Sequence, residues 1–427
     1  MTVYSQPIPG LVCIDHTLAV PLDHADVAGG SLDLYAREVR AVERADDDLP
    51  YLLYLQGGPG GRSPRPLARD GWLAEALKSY RVLLMDQRGT GRSTPVTTAT
   101  PAAFADAAAL AQYLTHFRAD SIIADAELLR AQIGGGRPWT TLGQSYGGFL
   151  TFTYLSLAPQ ALAKCLVTGG IPGVRSTADD VYRRTWPRVV DKNAEFFRRF
   201  PADAAVLNRL RDVILQRGAD DPLRLPGGDP LTAARLQALG ILFGMSYGFA
   251  EVHYLLEEAF VGEAVSPTFL MELQNVTEHA DAPLYAVLQE VIYSSGPATG
   301  WAAERVRADF PALRPDADQL LLTGEMMEST IFREEAAMAP FAEAMEILNA
   351  KDDWPALYDV EVLARSKVPV AAAVYFDDMY VDAALSLETA AATPGVRVWV
   401  TNEYEHDGLR SDERVFERLH DLATGRA

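Results

Sequence analysis

Only two cysteines, Cys13 and Cys165, occur in 427 residues. That number excludes a disulfide framework, and without a CxxC spacing it excludes thiol redox chemistry and a cysteine zinc site as well. Both read as small core residues. Nowhere does an apolar run reach the roughly 18 residues a membrane span needs, and the start MTVYSQPIPG has no basic segment leading into an apolar one. The expectation is therefore a cytoplasmic protein without a membrane partner. Positive charge is also scarce: 38 Lys plus Arg stand against 58 Asp plus Glu, a net charge of −20. This balance repels phosphate backbones and anionic lipid, so nucleic acid is not an expected partner, whereas a cationic, amine-bearing substrate is not penalised. Acidity of this kind also serves solubility alone.

What is present is length and a change of rhythm. A chain of 427 residues with 48% hydrophobic content exceeds one ordinary domain and can bury a large core. Through residue 175, short apolar runs alternate with glycine-rich turns and helical patterns, as in YLLYLQGGPGG (51–61), YRVLLMDQRGTGRS (80–93) and DSIIADAELLRAQIGG (120–135). Strands alternating with helices imply an α/β fold with a mostly parallel sheet. From 176 to 350 the patterns are helical, and β-rich runs return at 368–376 (VPVAAAVYF) and 396–402 (VRVWVTN). We expect a sheet domain built from 1–175 and 351–427, interrupted by a helical insertion at 176–350.

The chemistry is announced by TTLGQSYGGFL, residues 140–150. Gly143-Gln144-Ser145-Tyr146-Gly147 fits G-x-S-x-G, in which small residues permit a sharp strand-to-helix turn that holds a serine oxygen out for attack. A structural turn would use similar residues. A serine hydroxyl needs a base, usually histidine oriented by a carboxylate. Seven histidines compete; His406, in EYEHDGL, lies in a loop just past the second late strand. Asp377 and Asp378 lie just past the first. Serine, then aspartate, then histidine is the chain order of the α/β-hydrolase fold. The oxyanion formed on attack needs fixed N–H donors: the backbone of Tyr146 supplies one, and LQGGPGG offers close backbone approach at Gly57 and Gly58. A phosphate cradle is excluded there because neither a P-loop nor a dinucleotide spacing follows.

At these residues the chain resembles the proline iminopeptidases, prolyl aminopeptidases of the α/β-hydrolase superfamily. LQGGPGG, LLMDQRGTGRS, LGQSYGG and the closing YFDDMYV…NEYEHDGL carry the likeness across essentially the whole chain. Gln56 stands where smaller members have histidine, which looks like the longer bacterial subgroup. The resemblance implies Ser145 as nucleophile, His406 as base and Asp378 as the orienting acid, with Asp377 its rival. Beside the oxyanion donors expected at Gly58 and Tyr146, it implies Asp86 and Arg88 as braces. It further implies that the inserted helices form a cap whose carboxylates bind the free proline amine. Candidates are Glu251, Glu290 and Glu325, with Gly57 lining the site and Tyr247, Phe249, Tyr293 and Trp301 as apolar walls. No metal or organic cofactor is implied. The expected activity is release of N-terminal proline from a peptide; an esterase or a broader aminopeptidase on the same scaffold, and a catalytically silent binding protein, are the rival readings.

Overall fold

Strands that are apolar on both faces must lie inside a sheet covered on both sides, and three runs here do. The computed structural model describes residues 2–218 and 220–426. Its strands are β1 (Thr2–Ile8), β2 (Leu11–Pro21), β3 (Ser31–Ala41), β4 (Tyr51–Leu55), β5 (Arg81–Met85), β6 (Trp139–Gln144) and β7 (Leu162–Thr168). There follow a two-residue hairpin, β8 (Phe260–Val261) with β9 (Ala264–Val265), and finally β10 (Val370–Tyr375) and β11 (Val396–Thr401). β4, β6 and β10 are buried at every position.

Apart from the hairpin the strands make one sheet in the order β1-β2-β3-β5-β4-β6-β7-β10-β11. From β5 to β11 every pairing is parallel, and the β1-β2-β3-β5 edge is antiparallel. The carboxyl ends of β4, β6, β10 and β11 therefore open on one rim, the place where parallel α/β sheets hold their ligands.

One apolar cluster on the sheet joins β4 and β6 to the helices Ala119–Ile133 and Tyr146–Leu157; another includes Tyr54, Val82, Leu142 and Leu166 and the final helix Arg414–Thr424. A third cluster is built almost wholly from the inserted helices, around Trp186, Phe196, Leu207, Phe243 and Phe269. It reaches the sheet domain through Met379 and Tyr380, in the loop after β10. Within the insertion, Leu284, Val287, Met327, Phe341 and Leu348 belong instead to the first cluster. The segment 176–350 thus contributes both to an outlying helical body and to the cover of the sheet. None of the described helices is long and apolar enough to cross a membrane.

Candidate active site

Ser145 follows β6 directly and is the N-cap of the helix Tyr146–Leu157, with φ 54° and ψ −123°. A non-glycine residue at positive φ is strained and persists only where its surroundings fix it. Here the surroundings are close backbone contacts: a Cβ placed on Gly147 would stand 1.9 Å from the Leu55 carbonyl oxygen, and one on Gly57 2.7 Å from the Ser145 Cβ. The Ser145 N–H donates to Thr168 O (3.0 Å) and its carbonyl accepts from the Gly148 N–H (2.7 Å). The G-x-S-x-G pattern is therefore needed by packing as well as by turn geometry. Ser145 retains 8% exposure.

His406, in the loop after β11, is 4% exposed, and its Nδ1 lies 2.7 Å from Asp378 Oδ2. With the proton on Nδ1 as donor, Nε2 is left as an acceptor. Asp378, 2% exposed, also receives the Tyr380 N–H (2.8 Å) and the Val381 N–H (3.1 Å) on Oδ1, so its carboxylate cannot rotate freely. Asp377 points elsewhere: it is half-exposed and faces Arg188 Nη1 at 3.7 Å. The Tyr380 ring meets the imidazole edge-on, with centroids 4.8 Å apart. Burial on its own would lower the pKa of His406; the charge and hydrogen bond of Asp378, with the charge of Glu325, outweigh it, and the net direction is upward.

The loop after β4 faces this group. The Gln87 side-chain Nε2 donates to the Gln56 carbonyl (2.9 Å), which fixes the peptide plane that carries the Gly57 N–H. Gly58 has φ 61°, and Tyr146 opens its helix, where backbone N–H groups have no helical acceptor. Asp86 accepts from the Ser63 N–H (3.1 Å) and the Arg92 N–H (2.9 Å) and pairs with Arg65, tying the glycine loop to the turn after β5. Arg88 is buried on Asp125 (2.7 and 2.6 Å) and donates to the carbonyls of Pro21, Leu22 and His116. Both residues brace rather than react. The role of Gln87 escaped the sequence reading although it lies inside DQRGTGRS.

The three cap glutamates separate clearly. Glu325 is half-buried; its Oε1 accepts from the Tyr285 hydroxyl (2.6 Å), and the Tyr285 ring packs over Gly58, 3.8 Å from where a Cβ would stand. Burial pushes its carboxyl up despite the Tyr285 hydrogen bond and the pull of His406. Glu251 does not join it: the side chain is exposed on the first turn of the helix Gly248–Glu257, so it cannot offer an ammonium a desolvated partner. Glu290 is corrected as well. It is 1% exposed, and its Oε1 caps the helix Ala302–Arg307 through the N–H groups of Ala302 and Ala303. Burial pushes that carboxyl up to about 8 against these two hydrogen bonds.

Among the expected walls, Tyr247 is exposed, Phe249 packs with Phe196 and Phe243 inside the cap, and Trp301 packs on Phe332. Tyr293 alone reaches the site, edge-on to Phe149 (6.1 Å), one turn after Ser145. A small pocket is lined by Phe149, Tyr293, Tyr380, Val381 and Asp382 among others; Ser145, His406 and Glu325 are not part of its lining.

A serine on a strained turn at the end of a central parallel strand, with aspartate and histidine on later strand ends, defines a class, and residues 50–226 match the family model of the alpha/beta hydrolase fold. The chain is 48% identical over 415 residues to a proline iminopeptidase of Aeromonas sobria, with 96% of each chain covered. It is 32% identical over 406 residues to one of Aspergillus aculeatus, covering 92% of this chain and 89% of the relative. A solved hydrolase from Pseudomonas aeruginosa aligns over 96% of this chain and 98% of its own at 16% identity and a TM-score of 0.41. The chain belongs to the proline iminopeptidase family.

Proposed function

We propose that this chain is a serine aminopeptidase that releases N-terminal proline from peptides, with Ser145, His406 and Asp378 as its triad. The observation that carries the reading is the buried 2.7 Å contact of His406 with Asp378 in the loops beside the strained Ser145. The names of the two relatives support proline as the residue released.

In this reading the Ser145 Oγ attacks the scissile carbonyl carbon as His406 Nε2 takes its proton, and Asp378 stabilises the resulting imidazolium. The N–H groups of Gly58 and Tyr146 receive the oxyanion. Collapse expels the shortened peptide, whose amine takes the proton from His406. Water then attacks the prolyl ester as His406 takes its proton, and collapse breaks the bond to Ser145 Oγ, which receives that proton from His406 as proline leaves. Glu325 holds the prolyl ammonium, and the rings of Phe149 and Tyr293 offer the pyrrolidine ring apolar walls. The acidic surface of the chain does not oppose approach of a cationic peptide end.

The test is a panel of free prolyl, alanyl and N-acetylprolyl arylamides and a simple aryl ester. Acetylation removes the charge that Glu325 would pair with, and a buried pair broken on one side costs roughly 10² to 10³ in kcat/KM. The free prolyl compound is expected to lead the panel by that margin over its acetylated form. Comparable values for the two, or an ester turned over faster than either, would identify an esterase instead.

A further inference from the structure

The residues that flank the triad, rather than the triad itself, are what the cap touches. The longest cap helix, Ala178–Arg199, carries Arg188 and Lys192 four residues apart and so on one face. Lys192, 4% exposed at its side chain, places Nζ 2.6 Å from Glu405 Oε1, next to His406. Arg188 stands 3.7 Å from Asp377, next to Asp378, and donates to the Phe376 carbonyl at 3.4 Å. From the other side of the cap, the Gly244 carbonyl accepts the His406 N–H (3.0 Å). The Ser246 hydroxyl and N–H donate to Asp407 Oδ1 (2.6 and 3.1 Å), and Tyr380 donates to the Ile241 carbonyl. Three consecutive residues, Glu405, His406 and Asp407, are thus each held by the cap. A Cβ on Gly244 would stand 2.2 Å from the Tyr380 ring, so the backbone of this seam lies directly against that ring.

From this geometry we infer that the cap is part of the device that positions the catalytic base: Lys192 with Glu405, and Ser246 with Asp407, form a clasp that sets the loop carrying His406. The inference rests on Ser145, Asp378 and His406 being the triad. A lid that only read the substrate would need contacts with the substrate pocket and none with the loop behind the base. Here the one buried lysine of the long helix is committed to the residue beside His406. Lys192 and Ser246 are positioning residues; they act through the loop and touch no reacting atom. Asp377 has a use in the same scheme, as the weaker anchor of the acid loop.

The test compares Lys192→Met, the charge-balanced double variant Lys192→Met with Glu405→Gln, Ser246→Ala, and Ser246→Thr, which keeps the hydroxyl. Two quantities are measured: kcat and KM on prolyl arylamide, and the rate at which a small uncharged aryl alkylphosphonate labels Ser145. The phosphonate carries no amine, so its rate reports the base and not the reading of the substrate. Loosening the base by about an ångström is expected to lower kcat roughly 10- to 100-fold in the lysine variants, with KM within about two-fold and labelling slowed in step. Ser246→Ala should follow in the same direction, and Ser246→Thr should recover the wild-type labelling rate. Melting curves separate loss of positioning from loss of fold, and the exposed Ser246 supplies the informative pair if the buried lysine variants melt early. Wild-type labelling rates in all variants, or a rise in KM with kcat and labelling unchanged, would overturn the inference. A wild-type protein that resists the phosphonate would sink the triad reading, and this inference with it.

Discussion

Replacing Asp378 by asparagine removes one charge without changing the shape of the site, and the contacts of that carboxylate dictate the outcome. Its Oδ1 accepts the Tyr380 and Val381 N–H groups, and its Oδ2 meets His406 Nδ1 at 2.7 Å. An asparagine must keep its single oxygen on the two backbone donors, because turning the amide round would set N–H against N–H twice. Its NH₂ group then faces His406 Nδ1, which accepts only if the ring proton moves to Nε2. That tautomer has no lone pair left for the Ser145 proton. The wrong-tautomer penalty in triads of this kind is about 10⁴ in kcat, equivalent to ~5 kcal/mol of transition-state stabilisation. Asp377→Asn gives up only a 3.7 Å contact with Arg188 on a partly solvated carboxylate, a class of pair worth about 0–1 kcal/mol, and should cost no more than about five-fold. The assay is steady-state kinetics of both variants on prolyl arylamide at saturating substrate. Equal losses, or a larger loss in the Asp377 variant, would refute the assignment of the acid.

Two further perturbations follow from the cap carboxylates. Glu325→Gln should lower kcat/KM on the free prolyl substrate roughly 10² to 10³-fold. Glu251→Gln should leave it within about two-fold, as an exposed group contributes little. Because the Glu325 charge helps raise the pKa of His406, its removal should also move the acid limb of the pH profile to lower pH; an unmoved limb, or a larger loss in the Glu251 variant, rejects Glu325 as the amine partner. Glu290 acts on stability instead. Its folded pKa of about 8 exceeds the ordinary 4.5, so the fold favours the neutral acid, and stability is full below the unfolded pKa and declines as pH rises through about 8. The gap sets an upper bound of about 5 kcal/mol on the loss. Glu290→Gln keeps an acceptor for Ala302 and Ala303 and should melt above the wild type at pH 8 to 9, with the advantage fading toward pH 4.5; parallel melting curves across that range would show that the carboxyl is not held neutral.

The frame of the molecule was open to reading because its central strands state their burial in one dimension. YLLYL, WTTLGQ and VAAAVY are buried at every position, and a short run without a polar face has few places to go in an α/β chain. The serine was legible for a related reason: a turn that tolerates φ 54° at a non-glycine residue needs small neighbours at fixed offsets, and those offsets are local. His406 and Asp378, which stand 2.7 Å apart, were proposed from chain order, since both fall at ends of strands whose apolar pattern was plain. Asp377 and Asp378 were separated in sequence only by the family resemblance. Adjacent residues in a tight turn point apart, and which one points inward depends on the Tyr380 and Val381 N–H groups that receive it.

The cap resisted the same treatment because the property that matters there is desolvation, which no local pattern records. Glu251, Glu290 and Glu325 each lie in mixed apolar and polar stretches, yet one is exposed, one caps a helix from within the core and one faces the site. Lys192 sits in RRTWPRVVDKNAEFFRR among charges that are mostly surface, and its pairing with Glu405 spans 213 positions of sequence. Long-range pairs of this kind are written in two distant segments, each of which looks ordinary alone. The insertion therefore reads from sequence as a separate lid, while its contacts with Glu405, His406, Asp407 and Tyr380 make it continuous with the loops after β10 and β11. In the proposed clasp, that continuity lets a large helical body sit between β7 and β10 while the loop that carries His406 stays fixed. The sheet supplies the strand ends, and the insertion supplies the outer support for the loop that extends beyond them.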